Sequence, residues 1–337
     1  MNESILLVGH GSREPAGNLE VETFAQRWRE RRPQWRIELC FIEFADVPPD
    51  TGLDRAAHGA QRVVVVPLIL SAAGHVKMEI PAYIAAARGR HPATEFVYAR
   101  HLGAAEPILH ILKRNLTQAM LALDAPDPKT TGVILLGRGS SDRVANGELA
   151  KMARWLHEET GHELVDIAFT GITHPRLETV VQRQNRLGMT QVVVLPYYLF
   201  TGTLVERIQR QVAHLRQQYP LMRFGLGGYF GFEEEIYGLL DERVGAARGD
   251  LTHNDPMQAQ PGHPWPAPLV SIPSTMECDG CKYRDLAEAH AHPHHDHENT
   301  TRPSMACAPR LDPIGEGANA PSLVRAPRLD PIGEVLV

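Results

Sequence analysis

Short β-branched and aliphatic runs alternate along the chain with longer segments whose apolar residues recur every three to four positions. In the first half this pattern places strands near residues 4–8, 36–42, 62–69 and 95–98. Amphipathic helices fall near 19–31, 50–60, 77–89 and 104–123. The second half repeats the rhythm, with strands near 132–136, 163–169, 191–196 and 223–226 and helices near 146–160, 175–187, 204–218 and 233–246. Strands that alternate with helices predict βα units and a parallel sheet. The repeat has a nearly constant offset. Gly9 and Gly137 stand 128 positions apart, and Pro67 in "VVVVPLIL" stands 129 from Pro196 in "VVVLPYYL". The expected fold is therefore α/β, with two similar domains at 1–125 and 130–247, each a parallel sheet flanked by helices, joined through "DAPDPKT".

From 248 to 337 the composition turns to proline and polar residues, which predicts a disordered or extended tail. It contains "APRLDPIGE" twice, and the sequence offers no mechanism for that doubling. With 337 residues, 43% of them hydrophobic, the chain has material for two cores. A formal charge of -6 leaves no basic surplus for a nucleic-acid partner. The longest aliphatic stretch, 63–70, is too short to span a bilayer, and the N-terminus lacks the pattern of an export signal. Four cysteines do not make a disulfide scaffold, so a cytoplasmic protein is expected.

Open parallel sheets bind ligands beyond the carboxyl ends of their strands. There the first half presents His10 after its first strand, Glu43 after its second and His75 after its third. Two imidazoles and a carboxylate on neighbouring loops form a candidate divalent-metal site or an acid–base set. The repeat acts as an internal control: His10 aligns with Arg138, Glu43 with Gly171 and His75 with Thr203. The glycines and apolar framework persist while all three chemical groups are lost, which assigns the chemistry to one half. The glycine-rich turn "GHGS" completes neither a Walker motif nor a G-x-G-x-x-G, so phosphate binding is the weaker reading.

The tail adds two elements. Cys278 and Cys281, in "MECDGC", can share one metal centre but do not complete a tetrahedral site. Histidines, Cys307 or the same pair from a second chain, as in a homodimer, would complete it. An iron–sulfur cluster, zinc or cobalt, and a redox pair all fit two thiolates. His290, His292, His294, His295 and His297 form a cluster suited to storing or delivering a divalent metal. Cys40, inside "IELCFIEF", reads as a buried apolar residue.

The residues "LLVGHGSR", "FIEF" and "VVVVPLILSAAGHVKMEIP" resemble the class II chelatases that load a metal into sirohydrochlorin. The two-domain length, "TMECDGCKYR" and the histidine-rich stretch are similar to the long cobaltochelatase form of that family. Glu79 departs from the Asp common in the family pattern and keeps its charge. The resemblance implies a chelatase-like fold in each half and a lyase-type enzyme. It implies ATP-independent insertion of Co²⁺ into sirohydrochlorin, with release of two protons, in cobalamin biosynthesis. It also implies an iron–sulfur cluster at Cys278 and Cys281. In that reading His10 and His75 bind the ion and Glu43 orients an imidazole or relays protons. Arg13, Lys77 and Arg138 are candidate contacts for the carboxylates of the substrate. Insertion of Fe²⁺ for sirohaem, insertion of Ni²⁺, and a metal-storage or metallochaperone role for the histidine cluster are the alternatives.

Overall fold

The computed structural model describes residues 2–123 and 126–249. The expectations for Cys278, Cys281, Cys307, the histidine cluster and the tail lie outside the described residues. Two four-stranded, all-parallel sheets have the same strand order. The first contains β1 (Glu3–Gly9), β2 (Arg36–Phe41), β3 (Arg62–Pro67) and β4 (Glu95–Tyr98), ordered β2-β1-β3-β4. The second contains β5 (Thr131–Gly137), β6 (Val165–Phe169), β7 (Gln191–Pro196) and β8 (Arg223–Leu226), ordered β6-β5-β7-β8. The helices are α1 (Pro15–Arg31), α2 (Pro49–Ala57), α3 (Ile80–Arg90), α4 (Glu106–Leu121), α5 (Arg143–Thr160), α6 (Leu177–Arg186), α7 (Thr203–Gln218) and α8 (Glu234–Arg248). No helix among the described residues is long and apolar enough to cross a membrane.

Continuous aliphatic strands follow from burial on both faces. Ile5 and Leu7 of β1, Val64 and Val66 of β3, Val133 and Leu135 of β5, and Val193 and Leu195 of β7 point into one core shared by both sheets. Their alternates, Leu6, Val8, Val63 and Val65, pack outward with α2 and α3. Ile134, Leu136, Val192 and Val194 do the same with α6 and α7. The last helix of each half crosses over: α4 packs against β7 and β8, and α8 against β3 and β4. The sequence repeat therefore divides near residue 125, but the hydrophobic core does not.

Two helix starts beside the site differ from the pattern. α1 begins at Pro15 rather than near 19, because proline is preset for the first turn of a helix and has no N–H to leave unpaired there. The helix expected from 77 opens instead with a π-helical turn over His75–Glu79, closed by the Ile80 N–H on the His75 carbonyl. Pro81 has no N–H to give the Lys77 carbonyl, so an ordinary α-helical ladder cannot run through this point.

Candidate metal site

Strand order β2-β1-β3 brings the three loops that follow these strands side by side. The turn after β1 is braced by Asn18: the Ser12 N–H donates to Asn18 Oδ1 at 2.8 Å, and Asn18 Nδ2 returns a bond to the Ser12 carbonyl at 3.0 Å. Asn18 also donates to the Phe44 carbonyl at 2.9 Å, and the Glu43 N–H donates to the His10 carbonyl at 3.1 Å, so the turn carries the Glu43 loop with it. Gly11 has φ +89°, and a Cβ there would lie 1.7 Å from the Glu43 carbonyl oxygen. Only glycine lets the two loops meet this closely. Phe44 follows at φ +57°, in the left-handed region. His75 opens the π-helical turn, and Tyr98 of the neighbouring strand braces that turn by donating to the Val76 carbonyl at 2.9 Å.

These loops bring ligand atoms of His10, Glu43 and His75 within 4.8 Å of one another, the one such group among the described residues. The two imidazoles meet edge to face with centroids 4.8 Å apart, and Glu43 Oε1 lies 3.5 Å from His10 Nδ1. Each ring is about one-third exposed, which leaves the site open to a cation and a large ligand.

The partners of His10 fix its tautomer. Arg138 is a donor only, so its 3.0 Å contact makes His10 Nε2 the acceptor. Nδ1 then carries the proton and donates to the Gly11 carbonyl at 2.9 Å. Burial holds the His10 pKa below its usual value, and the neighbouring His75 and Arg138 add to this. The Gly11 carbonyl and Glu43 oppose them. The result is a neutral imidazole with a lone pair on Nε2, the form that binds metals. Nδ1 of His75 is buried and lies 2.9 Å from Glu79 Oε2.

The second half builds the same turn without the chemistry. Asn146 braces Ser140 as Asn18 braces Ser12, and the Gly171 N–H donates to the Arg138 carbonyl at 3.0 Å. Gly171 has no side chain to offer, and Thr203 begins α7 where the first half has His75.

Of the three cations expected at the rim, two are exposed. The Arg13 guanidinium lies over the Phe44 ring at 4.9 Å, and Arg138 reaches His10. Lys77 corrects the expectation of a substrate contact. Its side chain is 6% exposed, and Nζ donates to Asp142 Oδ2 at 2.6 Å, a carboxylate itself 2% exposed. An ammonium committed to a buried ion pair is not offered to a ligand in the cleft. Cys40 is fully buried, with its thiol pushed up to about 12 by desolvation, and it is no metal ligand. Glu79 was missed as a neighbour of His75; the i, i+4 spacing of the pair was the available signal.

Fold and site together define a duplicated α/β protein with a candidate divalent-metal site at the strand ends of one half. The CbiX family profile matches residues 4–119 and again 132–247, and the chain belongs to the CbiX family. It is 41% identical to the sirohydrochlorin cobaltochelatase of Priestia megaterium over 72% of this chain and 79% of that relative. It is 29% identical to the sirohydrochlorin ferrochelatase of the same organism, over 72% and 89%. The structure of SirB from Bacillus subtilis with Fe3+ superposes with a TM-score of 0.63 at 28% identity, covering 72% of this chain and 94% of that one.

Proposed function

We propose that this protein is a sirohydrochlorin cobaltochelatase acting in cobalamin biosynthesis. The observation that carries the reading is the convergence of His10, Glu43 and His75 within 4.8 Å, set in a family member more similar to a cobaltochelatase than to a ferrochelatase. Co²⁺ is a substrate here, and it enters the ring as two pyrrole protons leave. Neutral imidazole and carboxylate ligands hold the ion firmly enough to replace water, without the tight grip of thiolates that would hinder release. As the metal passes to the macrocycle, His10 Nε2 and His75 regain lone pairs and accept the departing protons, with Glu43 relaying them to solvent. Arg13 and Arg138 engage substrate carboxylates at the rim.

The proposal extends to a cytoplasmic setting and to the segment beyond residue 249. Cys278 and Cys281 supply two ligands of an iron–sulfur cluster, completed by histidines, by Cys307 or by the same pair from a second chain. Anaerobic purification with iron and sulfide analysis checks the cluster. The function itself is tested by mixing protein, sirohydrochlorin and Co²⁺, Fe²⁺ or Ni²⁺ and following the absorption spectrum. The expected result is insertion above the uncatalysed rate, fastest with Co²⁺. Fastest insertion of Fe²⁺ would reassign the enzyme to sirohaem synthesis, and no acceleration with any ion would remove the activity.

A further inference from the structure

Glu148 and Glu20 occupy equivalent positions on α5 and α1, 128 residues apart, and each reaches into the other half. Glu148 Oε2 accepts the Ala72 N–H at 3.2 Å, while Oε1 meets His101 Nε2 at 2.9 Å. Glu20 Oε2 accepts the Thr201 N–H at 2.8 Å, while Oε1 accepts the Tyr229 hydroxyl at 2.7 Å. The targets correspond as well. Ala72 and Thr201 each lie five residues beyond the proline that closes β3 or β7, and His101 and Tyr229 are 128 apart. Two reciprocal clamps thus hold the two loops that follow the central strands. Only one of those loops carries a ligand: His75 lies three residues past Ala72, while the other loop leads into Thr203.

The clamp on the His75 loop is the more heavily supported of the two. His101 is 2% exposed, and its backbone carbonyl accepts from Arg243 of α8 at 3.2 Å. The other end of the His75 segment is tied to the same half by the buried Lys77–Asp142 pair. At the 128-residue offset Lys77 corresponds to Val205, an apolar residue that forms no ion pair. We infer that Glu148 is a positioning residue for His75, through which the half without metal ligands sets the geometry of the metal site. The inference rests on reading His10, Glu43 and His75 as the metal site.

The test uses the full chain with the five tail histidines at 290, 292, 294, 295 and 297 changed to glutamine, so that the tail does not compete for the ion. Co²⁺ affinity is measured by titration, together with the separate KM values for Co²⁺ and sirohydrochlorin. Glu148→Ala is expected to weaken Co²⁺ binding at least about tenfold, as loss of an outer-shell partner does, with the sirohydrochlorin KM unchanged. Glu148→Gln, which keeps an acceptor for the Ala72 N–H, should recover most of that loss. Glu20→Ala breaks the matching clamp and should leave Co²⁺ affinity within about twofold of the parent, since its loop holds no ligand. Equal Co²⁺ affinities for Glu148→Ala and Glu20→Ala, whether both unchanged or both reduced, would overturn the positioning role. His75→Ala separates the two levels of the argument. If it binds Co²⁺ as the parent does, the metal-site reading fails and the inference goes with it. If it loses binding while Glu148→Ala does not, the inference alone fails.

Discussion

Arg138 and His10 are equivalent residues of a duplicated turn, and Arg138 Nη1 donates a 3.0 Å hydrogen bond to His10 Nε2 across the two halves. The residue that replaced the imidazole in the second half thus lies against the imidazole kept in the first. It also occupies the lone pair that a metal would take. Arg138 is exposed, and the proposed rim role has its guanidinium swing toward a carboxylate of an arriving macrocycle and release His10 for the ion.

Arg138→Ala is therefore expected to act in opposite directions on the two substrates. Co²⁺ should bind the tetrapyrrole-free protein a few-fold more tightly, because no hydrogen bond has to be broken first. Sirohydrochlorin should bind less well, by about 10- to 100-fold in kcat/KM, the range expected for one hydrogen bond to a charged group, about 1.5–3 kcal/mol. Steady-state kinetics with each substrate varied in turn checks this, and parallel losses for both would contradict it.

The pH dependence follows from the same contacts. Burial, His75 and Arg138 hold His10 below the usual histidine pKa, so its lone pair persists to lower pH than a solvated ring would allow. The acid limb of Co²⁺ binding should therefore lie below the ordinary histidine value of about 6.5. Removing Arg138 should move the limb up, and Glu43→Gln, which removes a group that raises the pKa, should move it down. For stability the sign is that of a depressed pKa. The contribution of neutral His10 is complete above the unfolded value and is lost as pH falls through the folded one. Titrations of Co²⁺ affinity across pH 5 to 8 in the three proteins test the order.

His10→Ala and His75→Ala should each reduce insertion by more than the 10- to 100-fold typical of losing an outer-shell partner, with the folded state retained because both rings are partly exposed. Thr203→Ala, at the position equivalent to His75, should leave the rate close to that of the parent. Insertion assays beside circular dichroism decide the matter. Comparable losses at Thr203 and His75 would mean that both halves carry chemistry.

Much of this is legible in the sequence. Eight strands and eight helices could be read because both faces of a parallel sheet are apolar, and Gly9 and Gly137 gave the repeat its offset. The triad could be read because strand ends collect ligands and the second half supplied a blank for each group. Lys77 was misread because its partner, Asp142, lies in the other half, and a local pattern does not reveal which cation is drawn into a buried pair. Glu20 and Glu148 were passed over for the same reason. Each looks like an ordinary helix carboxylate until the halves pack together, and the exchange of α4 and α8 leaves no mark on the hydrophobic pattern.

Truncation after residue 249 should preserve basal insertion, because among the described residues the strands and helices of both halves, their shared core and the triad are complete before that point. The expected change is confined to metal supply. At limiting Co²⁺ the truncated protein should slow relative to the full chain, and at saturating Co²⁺ the two should match. A folded truncated protein with no activity would place an essential group in the tail.

The last prediction concerns stability rather than turnover. Lys77 and Asp142 form a pair that is almost fully buried, and Asp142 Oδ1 also accepts the Val144 N–H at 2.9 Å to cap α5. Lys77→Ala removes the cation and leaves a carboxylate without its charge partner in the seam between the halves. Breaking a buried pair from one side costs about 3–5 kcal/mol, a large share of the roughly 5–15 kcal/mol that holds a typical protein folded. The urea midpoint should fall accordingly, while the KM for sirohydrochlorin in the folded fraction stays unchanged because Lys77 faces Asp142 rather than the cleft. A Lys77→Ala protein of normal stability with a raised sirohydrochlorin KM would return the lysine to the substrate, and with it the picture of a rim built from three cations.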